Sequence, residues 1–415
     1  MIKSKKGLTC NILLLLSYLI VARFSCIALS NIPLMSMKFI FIYGSSFLLI
    51  FFIENHKVTK NEFICLITLL FYVLYVVLKT TIITGNLFNT DAFNAYVLFF
   101  LFSIYMFLKY TEEKNKRKIF GIALCGFLFT YLYSISRLSI DPTLSRKAAA
   151  SISSQQGIDG LNAIGGFDTV YGSILFIVIL LFLSEDLHKS RLKLICVLSL
   201  ITAVIFIVMA SYGTALVLLV CVISLWLMQK NKIFGIIILC IIIFVVVNHI
   251  YIGDVLINMS SRIQFSDILS QKISEIGTML QTGEAAGTLA GEEGRLSRMG
   301  WSISAFLKYP IFGGYGKSDV LIGYHSEIVD SLGKFGIIGF GFLGTFFAYF
   351  FKDIYHNVST RKGKRCCFFA ILMYIVIAVL NPALYTQQVL PLFILLPVYD
   401  DITSYKKITV IKRSQ

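Results

Sequence analysis

What most constrains this chain is its series of long apolar runs. They lie near residues 10–29, 37–53, 62–79, 94–109, 119–136, 167–184, 191–209, 211–228, 233–250, 335–351 and 368–385. A helix of about 17–20 apolar residues crosses a hydrocarbon core of about 30 Å. In lipid, only segments that satisfy their own backbone hydrogen bonds can do so. A shorter run near 387–399 brings the expectation to about twelve spans. With 57% hydrophobic and only 14% charged residues, a soluble globular protein is excluded. The expected fold class is an all-α polytopic membrane protein.

The first run follows MIKSKKG, is long, and has no small-residue cleavage site, so it reads as an uncleaved signal anchor. Threading twelve spans with the N-terminus in the cytoplasm places 24 Lys and Arg but only 9 Asp and Glu on that side, and 13 of each on the other. The whole net charge of +15 then belongs to the cytoplasmic face, as insertion topology requires. The basic character therefore gives no support to nucleic-acid binding. The nine cysteines lie in or beside apolar runs, without a CxxC spacing, and read as free thiols.

The same threading divides the chain into five parts. Residues 1–136 hold helices one to five, and 137–166 form a first exterior loop. Residues 167–250 hold helices six to nine, 251–334 form a long exterior loop, and 335–415 hold the last spans and a cytoplasmic tail. Loops of this length in a compact bundle are usually functional. In the second loop, Phe265, Ile268, Leu269, Ile273, Ile276, Met279 and Leu280 recur at helical spacing, which predicts an amphipathic helix on the outer membrane surface. The glycine-rich TGEAAGTLAGEEG after it reads as a hinge. A helix is expected from about Arg295 to Lys308, ended by Pro310 and the turn PIFGGYG.

Arg295 and Arg298 share one face of that helix, with Ser302 a turn further on. His325, Glu327 and Asp330 stand just before the apolar run beginning near Phe335. The spans carry almost no ionisable residues, Arg23 being the clearest exception, whereas a transporter usually keeps charges near the midplane. Arginine suits phosphate and diphosphate through its planar fork of donors, and it can stabilise charge on a leaving diphosphate. Arg146, Arg295 and Arg298 are the candidates for that grip; alternatively they pair with lipid phosphates or with Glu292 and Glu293. His325 can serve as a general base on a sugar hydroxyl or donate to a phosphate oxygen, or can simply cap the helix entering the membrane. Asp330 and Glu327 are secondary base candidates, since carboxylates near a helix start are often dipole partners. No metal-ligand cluster, Walker loop, GxSxG elbow or DxD pattern appears, so neither metal nor cofactor is expected.

The run GRLSRMGWSISAFLKYPIFGGYG followed by YHSEIVDSLGKFGIIGF resembles the O-antigen polymerase and ligase superfamily of bacterial membrane proteins. Arg295 fits the family's arginine, Gly313, Gly314 and Gly316 its turn, and His325 its histidine. In the first loop, Arg146 and the stretch Gly165, Gly166, Phe167, Tyr171 look like the polymerase branch. Two features depart from the pattern: Ser326 stands where ligases usually have Asn, and Met299 stands where a tryptophan is frequent.

The resemblance implies a GT-C-like bundle in the bacterial cytoplasmic membrane. It also implies metal-independent glycosyl transfer at the outer face, with undecaprenyl-diphosphate-linked oligosaccharides as substrates. The product would be O-antigen, capsule or another exopolysaccharide, and the partners membrane lipids and a flippase and chain-length regulator of the same pathway. The alternatives are a ligase that moves finished glycan to another acceptor and, in a different class, a lipid-linked oligosaccharide flippase.

Overall fold

The structure is a computed structural model that describes residues 2–53, 58–141, 144–145, 164–187, 191–210, 212–262 and 295–403, with positions 270, 273–274, 277–278 and 280–281 between the last two segments. The described residues form helices α1 (Ile2–Ser25), α2 (Met37–Ile53), α3 (Lys60–Thr84), α4 (Thr90–Tyr110), α5 (Glu113–Leu138), α6 (Phe167–Asp186), α7 (Arg191–Ala210), α8 (Gly213–Lys230), α9 (Lys232–Val247), α10 (His249–Ser260), α11 (Arg295–Lys308), α12 (Glu327–Asn357), α13 (Arg361–Leu380), α14 (Thr386–Leu390, continued by a π turn Pro391–Leu395) and α15 (Tyr399–Thr403). No strand occurs among the described residues.

The protein is a polytopic membrane protein. Nine of the described helices are long and apolar enough to cross a bilayer: Leu8–Ser25 of α1, then α3 to α8, α12 and α13. The three remaining expected spans have shorter counterparts. Met37–Ile53 has 17 residues, Thr386–Leu395 is a short buried segment, and the run near 233–250 bends by 80° between Ile236–Val245 and His249–Ser260.

Caps fix several helix starts. Thr59 and Glu62 form a reciprocal capping box at α3, with the Glu62 carboxylate accepting from the Thr59 amide at 2.6 Å. Asn89 accepts from the Ala92 amide at 3.0 Å at the start of α4. At α13, the Thr360 hydroxyl accepts from the Gly363 amide at 3.0 Å. The Asp400 carboxylate accepts from both the amide and the hydroxyl of Ser359, and from the Thr360 hydroxyl. These caps pull RKGKR, expected in the 352–365 loop, into the first turns of α13, which therefore begins seven residues before the apolar run.

Helices α4 and α6 form the centre of the bundle and are buried on most sides. Around them α1 packs on α5, α6 on α7, α13 and α14, and α3 along α12. The ends of α3, α4 and α12 are joined by a largely buried ionic group. There the Lys109 ammonium lies 2.5 Å from Glu62 and 2.8 Å from Asp353, while Tyr105 donates to Asp353 at 2.5 Å. Arg23 donates through Nε to the Met35 carbonyl at 2.9 Å, tying α1 to the connection before α2. All nine cysteines are free.

Candidate functional site

The α11–α12 corner is built by glycines where backbones touch. Gly313 and Gly316 have φ of 75° and 78°, and Gly336 has φ of 65°. This is the left-handed region that glycine adopts without a Cβ penalty. Gly336 interrupts α12, so the segment Glu327–Phe335 is set off from the apolar helix that follows. The turn and the break lie against each other: the Gly314 amide donates to the Gly333 carbonyl at 2.7 Å, and the Ile337 amide to the Pro310 carbonyl at 2.8 Å. From α3, the Tyr75 hydroxyl lies 2.9 Å from the Phe312 carbonyl and 3.1 Å from the Phe335 carbonyl, its one proton shared between them. The Lys79 ammonium donates to the carbonyls of Phe312, Gly313 and Lys334. Carbonyls freed by a helix break need donors, and an ammonium supplies three.

This corner lays α11 on the start of α12. A Cβ on Gly323 would run into the Arg298 carbonyl, and one on Gly333 would sit 2.6 Å from the Ser302 carbonyl oxygen. Close approach at those two glycines brings Arg298 Nη1 to 3.1 Å from His325 Nε2. A guanidinium can only donate, so His325 Nε2 accepts and the ring proton is assigned to Nδ1. Arg298 forms no ion pair among the described residues, and its buried Nε–H has no acceptor there.

Both carboxylates of the region are engaged. Ser302 is fully buried. Its hydroxyl donates to Asp330 Oδ1 at 2.5 Å and accepts from the Gly323 amide at 2.9 Å. The Ser326 amide donates to Asp330 Oδ2 at 2.8 Å, and the Ser326 hydroxyl caps the helix by accepting from the Val329 amide. Glu327 accepts from the Ser331 hydroxyl at 2.8 Å and from the amides of Ala383 and Leu384. Asp330 thus holds the backbone on either side of His325, at Ser326 directly and at Gly323 through Ser302, while Glu327 ties the start of α12 to residues 383–384. Each of these carboxylates is taken up by hydroxyl and amide donors.

A second cation stands nearby. The Lys334 ammonium lies 2.8 Å from Asp91 Oδ1 and 4.1 Å from the centre of the Tyr324 ring. Tyr324 is the one non-glycine with positive φ, 57°, among the described residues, and it directly precedes His325. Tyr315 stacks near Phe335, their ring centres 6.1 Å apart. Burial, with the Asp91 charge adding to it, pushes the Tyr315 phenol up to about 12, so it remains a donor at neutral pH.

Arg146 and most of the first loop lie outside the described residues, as do most of the expected amphipathic helix and the glycine-rich stretch after it. The backbone of Arg295 opens α11, but its side chain is likewise outside the description. The end of the first loop is described. The Gly165 amide donates to Ser134 Oγ at 2.8 Å, and the Ser145 hydroxyl donates to the Gly165 carbonyl at 2.8 Å. A Cβ on Gly165 would press on the Phe206 ring at 2.7 Å. Phe167 packs on Tyr171, with centres 4.6 Å apart, and its ring centre is 6.5 Å from that of Tyr385. Residues 381–385 therefore connect the end of the first loop to Glu327. Ser145, the neighbour of Arg146, sits at the same end of the bundle as His325.

Sequence reasoning missed Lys79, Tyr75, Lys334 and Asp91. Lys79 had a signal, an ammonium at the edge of an apolar run. Asp91 and Lys334 are 243 residues apart and meet only through the packing of the bundle. Compared with known proteins, the chain matches no family model and no curated protein.

Proposed function

We propose that this protein is a polysaccharide polymerase that transfers a growing glycan from a polyprenyl diphosphate onto the next lipid-linked repeat unit. The observation that carries the reading is the 3.1 Å contact between Arg298 and His325, in which the guanidinium has no carboxylate partner among the described residues. A guanidinium with no carboxylate partner among the described residues, touching an imidazole, combines a diphosphate grip with a proton acceptor. The resemblance in both loops supplies the substrate class and the exterior location, with Arg146 and Arg295 as further diphosphate ligands.

In this mechanism the diphosphate of the donor takes the Arg298 fork and so releases His325 Nε2. That nitrogen accepts the proton of the acceptor sugar hydroxyl as its oxygen bonds to the donor's anomeric carbon. The bond from that carbon to the diphosphate oxygen breaks, and the arginines stabilise the negative charge left on the diphosphate. Asp330 and Glu327 hold His325 in place without exchanging protons. The twelve-span topology, with the N-terminus in the cytoplasm and the site outside, belongs to the same proposal.

The test is deletion of the gene in its native bacterial host, followed by sizing of surface and lipid-linked glycans. Single repeat units should accumulate, and Arg298→Ala and His325→Ala should fail to restore long chains at normal membrane levels. Long chains persisting in the deletion strain, without a second polymerase, refute the reading. Long chains stalled on the carrier would instead indicate a ligase.

A further inference from the structure

At the end of the bundle opposite His325, two grooves join between α12 and α13. The first, about 510 Å³, is lined by Tyr355, Ser359, Arg361, Lys364, Arg365 and Phe368. The second, about 320 Å³, shares Tyr355 and Phe368 and continues along Phe351, Ile371, Leu372 and Ile375. Besides Tyr355, its lining includes Lys352 and His356. From Arg365 to Ile375 the helix rises by about 15 Å, half the hydrocarbon thickness of a bilayer. The pair of grooves therefore has the depth of one leaflet, with charge at one end and apolar lining at the other.

The cations at this end divide into paired and unpaired ones. On the same end, Lys109, Lys116, Lys230 and Lys362 each contact a carboxylate. Arg361, Lys364 and Arg365, like Lys114, Lys118 and Lys352, form no ion pair among the described residues, and the Lys364 ammonium lies 5.7 Å from the centre of the Tyr355 ring. The nearby Asp400 carboxylate is engaged by Ser359 and Thr360. Cations in the first turns of a helix oppose its dipole, so their placement does not serve α13 itself. A positive-inside signal explains cations at this face, but not a cationic groove that opens into an apolar one.

We propose that this cleft binds an anionic phospholipid, its phosphate between Arg361, Lys364 and Arg365 and an acyl chain along Leu372 and Ile375. The bound lipid fills the cleft between the two helices that carry the site end and the 381–385 connection. This inference rests on the groove alone and stands independently of the polymerase reading.

The experiment uses the full-length protein in detergent, with native mass spectrometry of retained dioleoylphosphatidylglycerol and, as the neutral comparison, dioleoylphosphatidylcholine. Each cation near a headgroup contributes about fivefold, so the triple variant R361Q/K364Q/R365Q should bind phosphatidylglycerol about a hundredfold more weakly and lose its preference over phosphatidylcholine. Lys362→Gln, whose ammonium is held by Asp186, should bind as wild type. Leu372→Trp fills the apolar groove with charges unchanged and should weaken phosphatidylglycerol about tenfold. Monodisperse elution and unchanged helicity confirm that each variant is folded. Wild-type affinity in the triple variant or in Leu372→Trp overturns the proposal, and so does an equal loss in Lys362→Gln.

Discussion

Replacing Ser302 by Ala tests whether the α11–α12 corner is held as the structure indicates. The hydroxyl is fully buried, donates to Asp330 at 2.5 Å and accepts from the Gly323 amide at 2.9 Å. Loss of a hydrogen bond to a charged group costs about 1.5–3 kcal/mol, and a buried amide left without an acceptor costs about 1–3 kcal/mol more. Alanine's better helix propensity returns about 0.5 kcal/mol. The net expectation is a destabilisation of about 3 kcal/mol. Reversible unfolding in mixed micelles, followed by far-UV circular dichroism, measures it. Ser304→Ala on the exposed face of the same helix is the control and should stay within about 0.5 kcal/mol. A double-mutant cycle with Asp330→Asn should give a coupling of at least about 1 kcal/mol, because the two groups touch. Releasing Gly323 also lets His325 move relative to Arg298, and a misplacement of about 1 Å is worth about a hundredfold in rate. If Ser302→Ala behaves like Ser304→Ala, or the coupling is near zero, the bracing argument is wrong.

Arg298→Lys keeps the charge but loses the planar fork, so chain extension should fall nearly as far as in Arg298→Ala while insertion is unchanged; glycan sizing checks it. Gly313→Ala sets a Cβ against the Lys334 backbone at φ 75°, and should cost well over about 2 kcal/mol and lower folded yield, whereas Gly341→Ala, with open space around it, should be tolerated. Asp319 accepts from Lys308 and Tyr309, which hold its carboxyl below the usual carboxylate range. A depressed carboxyl contributes stability above about pH 4 and loses it as pH falls through the lowered value. The difference in unfolding midpoint between wild type and Asp319→Asn should therefore be present at pH 7 and vanish in acid.

The sequence by itself determined the material of this protein. Runs of apolar residues that, as helix, about match the hydrocarbon core of a bilayer leave a chain little choice but helices in lipid. The punctuation of Pro310 and the glycines after it marked the end of α11. Helical spacing, a local property, put Arg295, Arg298 and Ser302 on one face, and a position just before an apolar run singled out His325 and Asp330. What no local pattern contained was that Arg298 meets the histidine and which donors the carboxylates bind. Arg298 reaches His325 because Gly323 and Gly333 let two backbones touch, and Asp330 and Glu327 are consumed by donors on α11 and on residues 383–384. The same holds for Lys79, which caps the turn from α3, and for the pairing of Asp91 with Lys334. These contacts join segments from 27 to more than 200 residues apart, where one side chain's partner is set by the packing of whole helices. Length and hydropathy fix that helices form, and only tertiary packing fixes which polar groups are left to bind a substrate.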